Sequence, residues 1–159
     1  MTEINLISLI KQQKAIISVY GLGNVGGPIA AAWLRAGTKV IGVDISEKLL
    51  SEIRNGVSHK KEPFISETFS KSFQNGSFSV TNNGIEASQK SDIKIVAVPV
   101  GLKNKKIELK SLITVATTIS KSLKKGDVVV ICPSLPPGTT QNEVLKILEK
   151  NSNLKGERE

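Results

Sequence analysis

Four short runs rich in β-branched residues are separated by stretches with helical periodicity, and this alternation leaves the chain very few architectures. The runs are residues 15–20 (AIISVY), Lys39–Val43 (KVIGV), residues 93–98 (IKIVAV) and residues 127–132 (DVVVIC). Each is too short for a buried helix and almost continuously apolar, as a strand covered on both faces must be. From Asn24, the residues Val25, Ile29, Ala32, Trp33 and Ala36 recur at three- and four-residue spacing as one apolar helical face, and Gly37 stops that helix. Ser46 reads as the N-cap of a second helix carrying Leu49, Leu50 and Ile53, broken by Asn55-Gly56. Residues 63–73 contain a short helix after Pro63, and Phe78–Thr81 is a short strand. Leu112, Val115, Ala116, Ile119 and Leu123 define a helix over residues 109–123. Val144, Ile147 and Leu148 form the inner face of a last helix over residues 140–148.

Strands alternating with helices predict a parallel sheet, and right-handed crossovers make it a doubly wound, Rossmann-like α/β fold. A chain of 159 residues suffices for one such domain and not for two. Residues 1–14, with Ile4, Ile7 and Ile10 at helical spacing, form an extension. The sheet domain occupies residues 15–150. The polar tail, residues 151–159, is expected to fray and to mark a truncation point.

Composition removes several function classes. One cysteine, Cys132, and one histidine, His59, exclude a disulfide framework and a Cys/His metal cluster. The net charge of +8 permits anionic partners. Its lysines are scattered, however, with local groups at Lys103, Lys105, Lys106 and at Lys121, Lys124, Lys125 and no interleaved aromatics. They read as solvated faces, so no nucleic-acid partner is expected. No apolar run approaches the roughly 20 residues that cross a bilayer, Lys94 interrupting the greasiest stretch. The N-terminus lacks a basic start and a cleavage site. A soluble, cytoplasmic protein without a membrane partner is the expectation.

The chemistry begins at Gly21-Leu22-Gly23-Asn24-Val25-Gly26, a G-x-G-x-x-G set between a strand and a helix. Gly21 permits the tight turn, Gly23 leaves room for a pyrophosphate beside the backbone, and Gly26 lets the helix pack closely on the strand. The N–H groups of Asn24 and Val25 lie at the helix N-terminus, whose partial positive charge holds phosphates. Asp44 closes the next strand, close to the roughly 20-residue spacing of the dinucleotide fingerprint. A carboxylate there accepts from an adenosine ribose and repels a 2′-phosphate, and Ile45 and Ser46 offer no neighbouring arginine. NAD is therefore favoured over NADP. A glycine turn with Asp44 as a mere helix cap is the bland alternative.

Longer segments resemble the N-terminal domain of nucleotide-sugar dehydrogenases, which oxidise UDP-glucose or UDP-N-acetylmannosamine to uronic acids. The opening ISVYGLGNVGGPIAAAWLRAGTKVIGVDIS is similar to that family's start. Asn55-Gly56 followed by Glu62-Pro63 resembles its N-G … E-P stretch, and Val98-Pro99 the beginning of its V-P-T-P turn. VVVICPSLPPGTT is close to its L-E-S-T-V-P-P-G-T-T signature. The resemblance implies that Gly21, Gly23, Asn24, Val25 and Gly26 cradle the pyrophosphate, that Asp44 binds the ribose and that Lys48 lies near it. Pro99 and Ser134 would flank the nicotinamide side, Ser134 as an auxiliary group positioning a water or polarising a carbonyl. The chain departs from the family pattern in three places: Val100-Gly101 for Thr-Pro, Cys132-Pro133 for Glu-Ser, and Thr81-Asn82-Asn83 for Thr-Thr-Asp.

The family's thioester-forming cysteine lies far downstream, beyond anything within 159 residues. Cys132 reads instead as a small buried hydrophobe, His59 as a surface residue beside Lys60 and Lys61, and Trp33 as core. The resemblance therefore implies an NAD-binding domain of a UDP-sugar 6-dehydrogenase, as used in polysaccharide biosynthesis. The full-length enzyme would be homo-oligomeric, and its C-terminal UDP-binding half is missing here. Alone, the chain is expected to be inactive. Two alternatives stand beside it. One is the cofactor domain of a β-hydroxyacid dehydrogenase, whose G-L-G-x-M-G-x-P-M-A opening Gly27-Pro28 also fits. The other is a non-catalytic NAD-sensing module.

Overall fold

In the computed structural model, which describes residues 6–57, 63–103 and 106–156, five strands form one wholly parallel sheet. They are β1 (Ile16–Tyr20), β2 (Lys39–Val43), β3 (Phe78–Thr81), β4 (Ile93–Val96) and, after the hairpin β5 (Gly101–Lys103) and β6 (Lys106–Glu108), β7 (Val128–Ile131). The order across the sheet is β3-β2-β1-β4-β7. The chain runs outward from β1 to β3, then returns to the other side of β1 for β4 and β7, so β1 and β4 border the switch point of a doubly wound sheet.

Helices cover both faces. On one lie α2 (Gly26–Arg35), α3 (Glu47–Arg54) and α4 (Pro63–Gln74), whose Ala30, Ala31, Leu34, Leu50, Ile53, Ile65 and Phe69 bury Ile17, Val19, Val40 and Ile95 of the sheet. Leu6, Leu9 and Ile10 of α1 (Leu6–Lys11) pack at the margin of this core. On the other face, α5 (Gly84–Lys90), α6 (Lys110–Ser120) and α7 (Lys146–Ser152) contribute Ala87, Leu112, Ala116, Ile119 and Leu148 against Tyr20, Val43 and Val96. A π-helical segment, Thr140–Leu145, leads into α7 and buries Val144.

Ser46 caps α3 as its position predicts, its Oγ accepting from Leu49 N–H at 3.3 Å. Four expectations need correction. The buried face of α2 is Gly26, Gly27, Ala30, Ala31 and Leu34; Val25, Ala32 and Ala36 are exposed, whereas Ile29 and Trp33 are half-buried and pack against the core as expected. Small residues win the inner face because they let the helix axis approach the sheet closely. β7, read from the sequence as an apolar strand covered on both faces, is an edge strand with Val128 and Val130 exposed. α5 and the β5–β6 hairpin have no counterpart in the predicted elements. Finally, the tail is not free of contacts: Gly156 N–H donates to Glu149 Oε1 at 3.1 Å and Lys155 Nζ lies 3.9 Å from Glu149 Oε2.

Candidate cofactor site

Parallel register aligns Thr81, Val43, Tyr20, Val96 and Ile131 in one row across the sheet. The chain leaves the sheet immediately after each of them, so Asn82, Asp44, Gly21, Ala97 and Cys132 start five adjacent loops along the carboxyl edge. The ladder runs just past the strands: Gly21 N–H donates to Val43 O, Ala97 N–H to Tyr20 O and Cys132 N–H to Val96 O. Pro99 and Ser134 each stand three residues beyond paired positions, Val96 and Ile131, and both are exposed. Ligands of open α/β sheets bind at this edge.

The glycine turn meets the demands of its sequence. Gly21 has φ of 88°, a left-handed conformation that excludes an ordinary side chain at no cost only for glycine. A Cβ on Gly26 would collide with the Gly21 carbonyl oxygen, so the turn and the first residue of α2 are in direct backbone contact. A Cβ on Gly23, in contrast, would meet nothing within 4 Å. That position is glycine without any need of the protein interior, which suits close approach by a ligand. Val25 is the N-cap of α2 and supplies no side-chain cap. Among the described residues the N–H groups of Gly23, Asn24 and Val25 have no acceptor, leaving donors and the helix dipole for an anion.

Asp44 is tied into the same unit. Its Oδ2 accepts the N–H of buried Leu22 at 2.9 Å, and its Oδ1 accepts from Ser46 N–H at 3.0 Å. Ser46, not Asp44, caps α3, so the helix-cap alternative fails. The spacing of the two residues in sequence carries no hint of the Leu22 contact. Lys48 is exposed in the first turn of α3. Next to it, Asn82 Nδ2 donates to Glu47 Oε1 at 2.7 Å. Asn83, which stands where the resemblance has aspartate, keeps that residue's capping chemistry: its Oδ1 accepts from Glu86 N–H at the start of α5.

Cys132 is half-buried against the core, and burial pushes its thiol up, away from a reactive thiolate. His59, Lys60, Lys61, Glu62 and Lys105 lie outside the described residues. Among the described residues no three metal-binding side chains converge, and no helix is long and apolar enough to cross a membrane.

Comparison with known proteins decides the family. The model of the UDP-glucose/GDP-mannose dehydrogenase family, NAD binding domain, matches residues 15–159. The chain belongs to this family. A relative, the UDP-N-acetyl-D-mannosamine dehydrogenase of Pyrococcus horikoshii, is 32% identical over 143 residues, covering 90% of this chain and 33% of its own. The GDP-mannose dehydrogenase of Pseudomonas aeruginosa, solved as a ternary complex, superposes with a TM-score of 0.82 at 31% identity, over 87% of this chain and 33% of that one. The 3-hydroxyisobutyrate dehydrogenase of Mycobacterium tuberculosis reaches a TM-score of 0.56 at 18% identity and shares the fold alone. This chain spans about a third of the length of the dehydrogenases that it matches, and that third is their NAD-binding domain. NAD is its cofactor.

Proposed function

We propose that this chain holds and orients NAD for a nucleotide-sugar 6-dehydrogenase, which oxidises the C6 alcohol of the sugar to a carboxylate. The observation that carries the reading is the Asp44–Leu22 bond, because it joins the ribose-reading acid and the phosphate-binding turn into one rigid element. Gly21, Gly23, Asn24, Val25 and Gly26 enclose the pyrophosphate, with Asn24 and Val25 donating N–H bonds. Asp44 accepts from the adenosine ribose, its free lone pairs remaining after the two backbone bonds, and Lys48 stands beside it. Pro99 and Ser134 border the nicotinamide side from the loops after β4 and β7. Ser134 is a positioning hydroxyl there, holding a water or a carbonyl rather than attacking one. When bound, NAD would supply a two-electron acceptor, so the four-electron oxidation of alcohol to carboxylate consumes two NAD molecules.

The substrate of the complete enzyme is a UDP-sugar, bound by a C-terminal half that the matched third of the relatives does not include. Its assembly is homo-oligomeric, its place the cytoplasm and its pathway polysaccharide synthesis. Alone, the chain binds cofactor without turning over: Cys132 is held as a thiol and no imidazole or carboxylate hydrogen-bonds Ser134 among the described residues.

Incubation with NAD and UDP-N-acetylmannosamine or UDP-glucose tests this. The 159-residue chain should yield no NADH, and the chain joined to a family C-terminal half should yield it steadily. Steady NADH from the short chain, lost in Ser134→Ala, would show a complete site within this domain.

A further inference from the structure

β7 carries an ambiguity that its own apolar side chains do not resolve. Val128, Val129 and Val130 are identical, although exposed Val128 and Val130 alternate with half-buried Val129 and Ile131, which pack against the core. Sliding the strand along β4 by one residue replaces one valine with another on each face through most of its length, so the alternation that normally fixes register discriminates weakly here. Each one-residue slip moves the chain by about 3.3 Å. The segment Cys132, Pro133, Ser134 moves with it.

One polar contact does distinguish the registers. Lys94 sits at the middle of β4 with a fully buried side chain, opposite Val129 on one side and Ser18 on the other. Its ammonium donates to Ser91 O at 2.5 Å and pairs with the carboxylate of Asp127, whose side chain is 4% exposed. Asp127 Oδ2 also accepts Lys124 N–H at 2.8 Å, fixing the turn that enters β7. Burial pulls the Lys94 ammonium down from its ordinary range, and Asp127 opposes that shift. Buried pairs of this kind add little stability over matched apolar residues, yet leaving one partner alone is costly. Any register that separates Asp127 from Lys94 incurs that cost.

We propose that the Lys94–Asp127 pair is the register lock of β7 and, through it, a positioning element for Ser134 on the nicotinamide side of the cofactor site. This rests on reading the carboxyl edge as the NAD site. The lock lies at the opposite end of β7 from Ser134, and the strand transmits its position rigidly. The adenosine side, built on β1 and β2, does not depend on it.

The decisive variant is Lys94→Met with Asp127→Leu, which removes both charges together. It should still melt cooperatively. Backbone NMR of β7 should show more than one set of resonances, and the contacts between Val96 and Ile131 should weaken. If the matched register falls to about a tenth of molecules, apparent NAD affinity falls about tenfold. ADP-ribose, which lacks the nicotinamide, should bind the variant as it binds the parent. The conservative pair Lys94→Gln with Asp127→Asn keeps a polar match and should keep one register and full NAD affinity. A single β7 register with unchanged NAD affinity in the Met/Leu variant would overturn the lock. So would its failure to fold while the Gln/Asn pair folds, since the pair would then be a stability element. A parent chain that binds neither ADP-ribose nor NAD would instead overturn the site reading, and the positioning role with it, while the NMR arm would still judge the register.

Discussion

The carboxylate of Asp44 accepts the backbone N–H of Leu22 at 2.9 Å, so the acid proposed to read the ribose also braces the glycine turn. Leu22 is buried, and its N–H has the Asp44 carboxylate as its acceptor. Asp44→Ala should therefore destabilise the cofactor-free chain by about 1–3 kcal/mol, the cost of an orphaned buried donor. Asp44→Asn keeps an amide oxygen for Leu22 and should lose far less. Both remove the charge proposed to reject a 2′-phosphate, so both should narrow the NAD-over-NADP preference. Thermal unfolding without cofactor, paired with calorimetric affinities for the two dinucleotides, separates the effects. Equal stability of the two variants would show that the Leu22 contact does not matter.

Gly26 predicts a different phenotype from Gly23. Its Cβ would strike the Gly21 carbonyl, so Gly26→Ala forces α2 away from β1. Overpacking of this sort costs roughly 1–3 kcal/mol or more. The melting temperature should fall even with no dinucleotide present, whereas an unperturbed melt would mean that the helix start yields without strain.

Tyr20 precedes the turn and is 2% exposed, its hydroxyl donating to Gly84 O at 2.7 Å. Burial raises its phenol from 10.0 to about 12, Ser18 and Ser88 partly opposing the shift. Because the folded value lies above the unfolded one, this contribution is complete below pH 10 and is lost as pH rises toward 12. The loss is on the order of 2–3 kcal/mol. The chain has one tyrosine, so phenolate absorbance reports Tyr20 alone. Its midpoint should fall near 12 in the folded protein and near 10 in denaturant. A folded midpoint near 10 would mean that the ring is hydrated.

What the sequence discloses depends on how local the cause is. β2 falls on Lys39–Val43 as its pattern predicts, and Ser46 caps α3, because both follow from neighbouring residues. The inner face of α2 is obscured by its own composition: Gly26, Gly27, Ala30 and Ala31 carry little hydrophobic signal, while exposed Val25 carries more and exposed Ala32 as much as either buried alanine. α5 spans seven residues and exposes Ile85, so periodicity has too little length to register, although Asn83 before Gly84 was a usable capping signal. The hairpin strands β5 and β6 have three residues each. A valine run says strand and is silent on whether that strand is central, so β7 came out at the edge.

The candidate site was legible in its types and not in its contacts. Glycines and helix start are set by a turn motif with its own local geometry, and the acid by its place just after β2. The Asp44–Leu22 bond and the Lys94–Asp127 pair span 22 and 33 positions and depend on the sheet order. A lysine within an apolar strand was nevertheless a readable signal, since burial there demands a carboxylate partner.

Calorimetric titration of NAD into the parent chain and Gly23→Val tests the central claim most directly. A side chain at this position meets no protein atom within 4 Å, so the variant should melt like the parent. It should nevertheless bind no measurable NAD, because its isopropyl group occupies the place of the pyrophosphate. Equal NAD affinity in the two proteins would contradict the account, since the cofactor would then lie somewhere other than the turn between β1 and α2.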